Sequence, residues 1–235
     1  MLLNTGLLGD TVQSTVYFAS LLGVMLISYL LGSINSAIVI SKLIYKEDVR
    51  TKGSGNAGMT NMLRNYGKNA ALLTLAGDLG KTVIALLISA IIFGFNYTAG
   101  IAIGGPMGEC YLAGLFAVLG HIFPIYYKFK GGKGVLVTST MALILSPIPF
   151  LILFAVFVVV VWMSKYVSLG SVIVATLYPI LLHGYFLIIF NGLSMPGLTA
   201  LSTITLAILI VWCHRENLKR INERTENKLS FGNKK

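Results

Sequence analysis

Charge is scarce in this chain, and negative charge scarcest. Among 235 residues there are 8 Asp and Glu against 18 Lys and Arg, and all charged residues together make up 11%. A soluble domain carries about a quarter charged residues, so this chain cannot clothe itself for water over most of its surface. There are two cysteines, Cys110 and Cys213, at the ends of separate apolar runs. That excludes a disulfide framework and any cysteine-based metal spacing. The three histidines, His121, His183 and His214, form no HExxH pattern, so no metal site is expected. Six prolines leave room for long uninterrupted helices. The N-terminus has no basic stretch before its first apolar run and no small-residue cleavage site after it, so that run is expected to stay as a helix.

What the chain does have is apolar residues, 56% of the total, with a mean hydropathy of +0.82. They fall in runs at about Thr15–Leu43, Ala70–Phe93, Met107–Tyr127, Gly134–Ser146, Pro149–Met163, Leu169–Phe190 and Gly197–Cys213. An upright helix needs roughly 20 residues to cross the hydrocarbon core. The fourth and fifth runs are short of that, and Ser146-Pro147-Ile148-Pro149 stands between them. This region is either one kinked helix or two short helices meeting in a turn.

The basic residues choose between the two. Lys46, Arg50, Lys52, Arg64 and Lys68 follow the first run, with Lys42 at its end; Lys128, Lys130 and Lys133 follow the third. Lys165 precedes the sixth, and Arg215, Lys219, Arg220, Arg224, Lys228, Lys234 and Lys235 fill the tail. The connections 94–106, 146–149 and 191–196 have none. Seven crossings put every basic loop on one face, whereas six would split them. The positive-inside rule therefore predicts an all-α polytopic membrane protein with about seven transmembrane helices, N-terminus outside and C-terminus cytoplasmic. It is expected to be a single domain over 1–235, with an N-terminal segment at about 1–13 and a basic tail at about 214–235. The net charge of +10 is accounted for by these loops, so no nucleic-acid partner is expected. Lys81 alone lies inside a run, with Asp78 three positions earlier on the same helical face. Such a pair is either functional or a packing device.

Chemistry gathers in the basic loops. Gly53-Ser54-Gly55-Asn56-Ala57-Gly58-Met59-Thr60-Asn61 leads to Arg64. Glycines there let backbone N–H groups turn toward an anion, and Ser54, Asn56, Thr60 and Asn61 carry side-chain donors. Arg64 can hold a phosphate in a two-pronged way. The embedded G-x-G-x-x-G follows a membrane span, not a strand, so it is no dinucleotide fingerprint. Gly80-Lys81-Thr82 lacks the opening glycine of a Walker A loop, having Leu75 there. The second loop, Lys128-Phe129-Lys130-Gly131-Gly132-Lys133-Gly134, again sets glycines around a cation. The third holds Ser168 and Ser171 at the start of a span, and the tail opens with His214-Arg215-Glu216-Asn217. If the last span continues as a helix, His214 and Asn217 share a face. Together these segments suit a phosphate-bearing ligand at the lipid boundary.

These segments resemble, in order, the motifs of the bacterial acyl-phosphate-dependent glycerol-3-phosphate acyltransferases, the PlsY family. The likeness rests on Gly53 to Arg64, on Gly120-His121-Ile122-Phe123-Pro124 with Phe129 to Val135, on Tyr166 to Leu169, and on His214 to Asn217. It spans about residues 32–226. The chain departs from the pattern at Thr82, where glycine is usual, and at Leu136 and Gly170, where alanine is. The usual tail Leu-Leu-x-Gly-x-Glu is replaced by Ile221-Asn222-Glu223-Arg224-Thr225-Glu226, which keeps only the final acid.

The resemblance implies acyl transfer from acyl phosphate to glycerol 3-phosphate in the bacterial plasma membrane, with the active site facing the cytoplasm. It implies no cofactor and no metal, and a functional link to an enzyme that makes acyl phosphate. Catalytic residues would be Ser54, Arg64, Lys133, His214 and Asn217; Gly53, Asn56, Gly131, Gly132 and Ser171 would complete the substrate pocket. The fifth residues after the three histidines are Tyr126, Ile188 and Lys219, so the His-x-x-x-x-Asp dyad of other glycerol acyltransferases is absent. A transporter for a phosphorylated anion is the alternative; its broken helices have a counterpart in the sequence only at Ser146–Pro149. A non-catalytic scaffold is a third.

Overall fold

The computed structural model describes residues 4–94 and 107–229, with side chains from 13 onward in the first stretch and from 108 in the second. The connection at 95–106, and Lys234 and Lys235 of the tail, lie outside the described residues. Nine α-helices account for nearly all of what is described: α1 (Asn4–Ser33), α2 (Ser36–Tyr45), α3 (Met59–Phe93), α4 (Met107–Ile122), α5 (Val135–Leu145), α6 (Pro147–Ser164), α7 (Val167–Ile189), α8 (Gly197–Cys213) and α9 (Arg215–Asn222). Helix α1 reaches back into the stretch expected to precede the first span.

Each apolar run forms helix, but the lengths differ from expectation. Among the described residues, five helical stretches are long and apolar enough to cross a bilayer, six if α8 and α9 count as one span bent by 49°. The fifth run, short in the sequence, gains a turn because Pro147 sits at the first helical position, where its missing N–H costs nothing. Helix α5, at 11 residues, stays short. Ser146 separates α5 from α6, so two helices and not one kinked helix occupy this region.

Three breaks were not foreseen. The first span is interrupted at residues 34–35, where Asn35 caps α2 by accepting from the Ile38 amide. Gly67, with φ 84°, divides α3 into a short arm carrying Arg64 and a long membrane-embedded limb. The last span ends at Cys213, and His214 stands at the bend before α9.

Helix α4 is the axis of the bundle, packed against α1, α3, α5 and α8. In its span 61% of the residues are enclosed by protein, against 17% for the peripheral α6. Close approach depends on small residues, since lipid offers little drive for helix association beyond packing itself. A methyl group at Gly32 would overlap the Ala117 backbone, and one at Gly120 would overlap the backbone of Tyr29, Gly32 and Ser33. The core around α4 includes Val24, Tyr111, Val118, Met141 and Leu182. A second, smaller core of Ala37, Ile38, Val49, Ala57 and Met62 lies beneath the first basic loop.

The basic segments meet at one end of this bundle. Arg50 donates to the Tyr127 and Lys130 carbonyls at 2.9 and 3.0 Å, joining the first loop to the second. The Leu229 amide donates to the Lys165 carbonyl at 2.8 Å, joining the tail to the third.

Candidate active site

A cavity of about 750 Å³ opens where these segments converge. Three helices begin on its wall: α3 at Gly58, Met59 and Thr60, α5 at Gly134, Val135 and Leu136, and α7 at Val167 and Ser168. The first N–H groups of a helix have no intrahelical acceptor and carry the positive end of the dipole. Three such ends around one cavity make an anion site without any side chain.

Cations reinforce it. Arg64 lines the cavity from the short arm of α3 and forms no ion pair among the described residues. Lys133 lines it just before α5 and bonds to the Asn217 amide oxygen. Burial pushes the Lys133 ammonium down to about 8; the Glu226 carboxylate opposes that shift, and Arg220 and Arg64 add to it. Two cations without carboxylate partners, one of them desolvated, favour a ligand that brings negative charge.

The first loop is a built structure. Asn61 is buried and donates to the Val49 and Lys52 carbonyls at 3.2 and 3.0 Å while accepting from the Ser54 amide at 3.1 Å. Its side chain thus orders the loop and is not a free donor for an anion, contrary to expectation. Gly53 has φ 56°, and a Cβ there would strike the Asn61 and Asn65 side chains. It shapes the turn behind the cavity, whereas Ser54 and Asn56 face the cavity.

In the second loop the Gly131 and Gly132 amides donate to the Ile122 and His121 carbonyls, both at 3.0 Å. They are therefore spent on fixing the loop, whereas the first amides of α5, beside the cavity, have no intrahelical acceptor. Gly131 still lines the cavity. Gly132 lies behind it, where a Cβ would meet the His121 ring and the Ala57 carbonyl.

The tail closes the site. His214 is buried, and its Nδ1 donates to the Ile210 carbonyl at 2.7 Å. That fixes the tautomer and leaves Nε2 as an acceptor on a cavity-lining side chain. Although the helix breaks at His214, Asn217 also lines the cavity. Ser171 lines it from α7, its hydroxyl donating to the Val167 carbonyl at 2.9 Å.

Glu226 ties these parts together. It accepts from Ser168 at 3.0 Å, Asn217 at 2.6 Å and Arg220 at 2.8 Å. Burial pushes its carboxyl up, but the bonds from Asn217, Arg220 and Ser168 outweigh this and hold it below the ordinary range. The divergent tail reaches this position by an unusual turn. Arg224 adopts φ 57°, its amide donates to Ile221, and the Thr225 amide donates to Arg220 at 2.8 Å. This is a Schellman end, with arginine at the left-handed position that glycine usually takes.

Beyond the polar end the cavity turns apolar, lined by Leu143, Phe150, Phe154, Phe157, Val174 and Ile210. Leu143 and Phe154 are also exposed apolar side chains of the bundle. Sequence reasoning missed three contributors: Glu226 as an organiser, Arg50 as the clamp between loops, and His121, which lines the cavity. For the last, the signal was its place in the Gly120-His121-Ile122-Phe123-Pro124 motif. Among the described residues no group of three or more His, Cys, Asp or Glu side chains could hold a metal ion.

Fold and site together define a helical integral membrane protein whose cavity gathers cations and helix N-termini at one end and apolar side chains at the other. Residues 22–224 match the family model described as glycerol-3-phosphate acyltransferase. Curated proteins of that name are similar over nearly their whole length: one from Mycoplasmopsis synoviae (strain 53) is 36% identical over 211 residues, covering 87% of this chain and 92% of its own. One from Coxiella burnetii (strain Dugway 5J108-111) is 39% identical over 212 residues, covering 88% and 97%. Among solved structures, PlsY, an integral membrane glycerol 3-phosphate acyltransferase, in its glycerol 3-phosphate form shares 32% identity with a TM-score of 0.74, covering 90% of this chain and 96% of that one. Its lysophosphatidic acid form gives 0.72 at the same identity and coverage. The chain belongs to the glycerol-3-phosphate acyltransferase family of which PlsY is a member.

Proposed function

We propose that the protein transfers a fatty acyl group from acyl phosphate to glycerol 3-phosphate, giving lysophosphatidic acid and phosphate. The observation that carries this is the cavity itself: Arg64, Lys133 and three helix N-termini at one end, an apolar groove reaching the lipid surface at the other. Each buried CH₂ contributes roughly 0.8 kcal/mol, which suits a long acyl chain held in the groove with its phosphate at the polar end. Both substrates then present their anionic groups to the same donors.

In the reaction the glycerol hydroxyl oxygen bonds to the acyl carbonyl carbon, the carbonyl carbon–phosphate oxygen bond breaks, and phosphate leaves. Acyl phosphate is a mixed anhydride with a good leaving group, so positioning and charge neutralisation supply much of the rate. Ser54, Arg64, Lys133 and Ser171 hold the phosphate groups, with Asn56 and Gly131 at the wall and Gly53 and Gly132 shaping the loops. His214 and Asn217 orient the glycerol. A phosphate monoester has a second pKa near 6, so the substrate's own phosphate is suited to take the hydroxyl proton. A His214→Gln enzyme keeps hydrogen bonding and should retain turnover; loss of turnover with binding intact would make His214 the base.

The chain acts as one domain over 1–235 in the bacterial plasma membrane, crossing seven times with the N-terminus outside and the basic tail in the cytoplasm. Helix α5 makes a short crossing sheltered by α3, α4 and α6. The site then faces the cytoplasm, where glycerol 3-phosphate arrives from water and a separate enzyme supplies acyl phosphate. Donor identity is tested by offering the purified protein palmitoyl phosphate or palmitoyl-CoA with glycerol 3-phosphate. Product from the phosphate alone is expected; equal product from the thioester would overturn the donor assignment. Single cysteines at 165 and 192, labelled from either side of sealed vesicles, test the crossing number.

A further inference from the structure

The buried Asp78–Lys81 pair in the long limb of α3 has no part in the chemistry above, yet Asp78 lines its cavity. The Lys81 ammonium donates to the Gly32 and Ile34 carbonyls, both at 3.0 Å, and pairs with Asp78 at 2.9 Å. Asp78 also accepts from Ser36 at 2.9 Å. The cation therefore sits on the carbonyl end of α1 and the carboxylate at the amide end of α2, each at the helix terminus its charge favours. The pair staples the break at residues 34–35.

His121 extends the staple toward the cavity. Its Nδ1 lies 3.0 Å from the Lys81 ammonium, which can only donate, so Nδ1 accepts and Nε2 carries the ring proton. The Nε2 edge packs against Gly132 so closely that a Cβ there would overlap it. The same face of Gly132 meets the Ala57 carbonyl, which accepts from Asn35 at 3.2 Å. Thus Asn35 holds the first phosphate loop and His121 the second, and both are anchored at the same helix break. Lys133 follows Gly132 directly.

We infer that His121 is a positioning residue for Lys133: held by the Asp78–Lys81 pair, its ring fixes Gly132 and thereby sets where the Lys133 ammonium meets the glycerol 3-phosphate anion. The inference rests on Lys133 as a phosphate ligand. In this arrangement the ring is neutral, its Nδ1 accepting from Lys81 at 3.0 Å, with the Asp78 carboxylate further off at 3.6 Å. Without the ring, Lys81 keeps Asp78 and both carbonyls, so the helix break survives its removal.

A double-mutant cycle tests this. KM for glycerol 3-phosphate and kcat are measured with palmitoyl phosphate for wild type, His121→Ala, Lys133→Ala and the double variant, with thermal unfolding in detergent as the fold check. His121→Ala should raise KM at least tenfold while kcat stays within threefold, and should add less than twofold on top of Lys133→Ala. His121→Asn, whose amide oxygen sits near the Nδ1 position but lacks the ring edge against Gly132, should behave like His121→Ala and stands in for it if that variant does not fold. If Lys133→Ala has no turnover, equilibrium dialysis of glycerol 3-phosphate replaces KM. A wild-type KM in folded His121→Ala, or a tenfold effect repeated in full on Lys133→Ala, overturns the inference and leaves the phosphate site standing. A wild-type KM in Lys133→Ala overturns both.

Discussion

Raising the pH from 7 to 9 should weaken glycerol 3-phosphate binding about tenfold through Lys133 alone. Burial pushes its ammonium down to about 8, from roughly 10.4 in water. The sign follows from linkage: a bound anion favours the charged form, so affinity is full below 8 and falls as pH rises above it. With a pKa near 8, about nine-tenths of the free enzyme carries the charge at pH 7 and about a tenth at pH 9. The substrate phosphate, with a second pKa near 6, is about nine-tenths dianionic at pH 7 and almost wholly so at pH 9, a gain of about a tenth that opposes the loss only slightly. Glu226 is held below its ordinary range and does not titrate in the window. The assay is KM for glycerol 3-phosphate from phosphate release, at saturating palmitoyl phosphate, after subtracting hydrolysis without enzyme. Lys133→Arg keeps its charge throughout, so its KM should be flat, whatever its absolute value. A wild-type KM that is flat from pH 7 to 9, or a rise that survives in Lys133→Arg, would refute the reasoning.

Other consequences concern the scaffold. Arg224→Gly should stabilise the protein: a non-glycine residue in the left-handed region costs roughly 1–2 kcal/mol and the extra chain entropy of glycine returns about 0.5–1, leaving a net gain of about 0.5–1 kcal/mol, read as a raised Tm in detergent. Gly120→Val forces a Cβ and its two methyl groups into the α1 backbone and should abolish folded protein in size-exclusion chromatography, whereas Gly184→Ala, where nothing lies within 4 Å, should not. Arg50→Ala removes the bonds to Asp48, Tyr127 and Lys130 and should cost about 1–3 kcal/mol, with KM rising because the two loops lose their clamp. The Asp48 carboxyl is held at about 2 chiefly by its bond from Arg50. The stabilisation from that pair is therefore present above pH 4 and lost as pH falls toward 2, and the acid-unfolding curve of Arg50→Ala should lack that limb.

Much of this was legible in the sequence, and the reasons differ by element. Apolar runs mark helices because lipid requires every backbone group to be satisfied within the segment, and all seven appear as helix. The residues expected at the site do gather: Ser54, Asn56, Arg64, Gly131, Lys133, Ser171, His214 and Asn217 line one cavity. Composition could not reveal which donors are already committed. Asn61 and the Gly131 and Gly132 amides look like free anion donors in the sequence, yet each is spent within the chain. That depends on contacts such as Gly131 to Ile122, set by the angle at which the chain leaves α4.

The breaks were hidden for a related reason. Residues 34–35 are apolar and amide, with no proline to announce an interruption. The break is stabilised from outside its own segment by Lys81 and Asp78, some forty residues away along the chain, and local pattern carries no trace of that. Gly67 was visible as a residue but not as a hinge. The tail posed the opposite case: its sequence lacks the glycine of the family pattern, while Arg224 takes the left-handed conformation itself, and Glu226 reaches Ser168, Asn217 and Arg220.

The most direct test of the account is to supply purified protein with palmitoyl phosphate and glycerol 3-phosphate and to measure phosphate and lysophosphatidic acid together, in wild type and in Arg64→Ala and Lys133→Ala. Equal molar release of both products, lost in each folded variant, is predicted. Phosphate release without lysophosphatidic acid, or full activity in either variant, would contradict it.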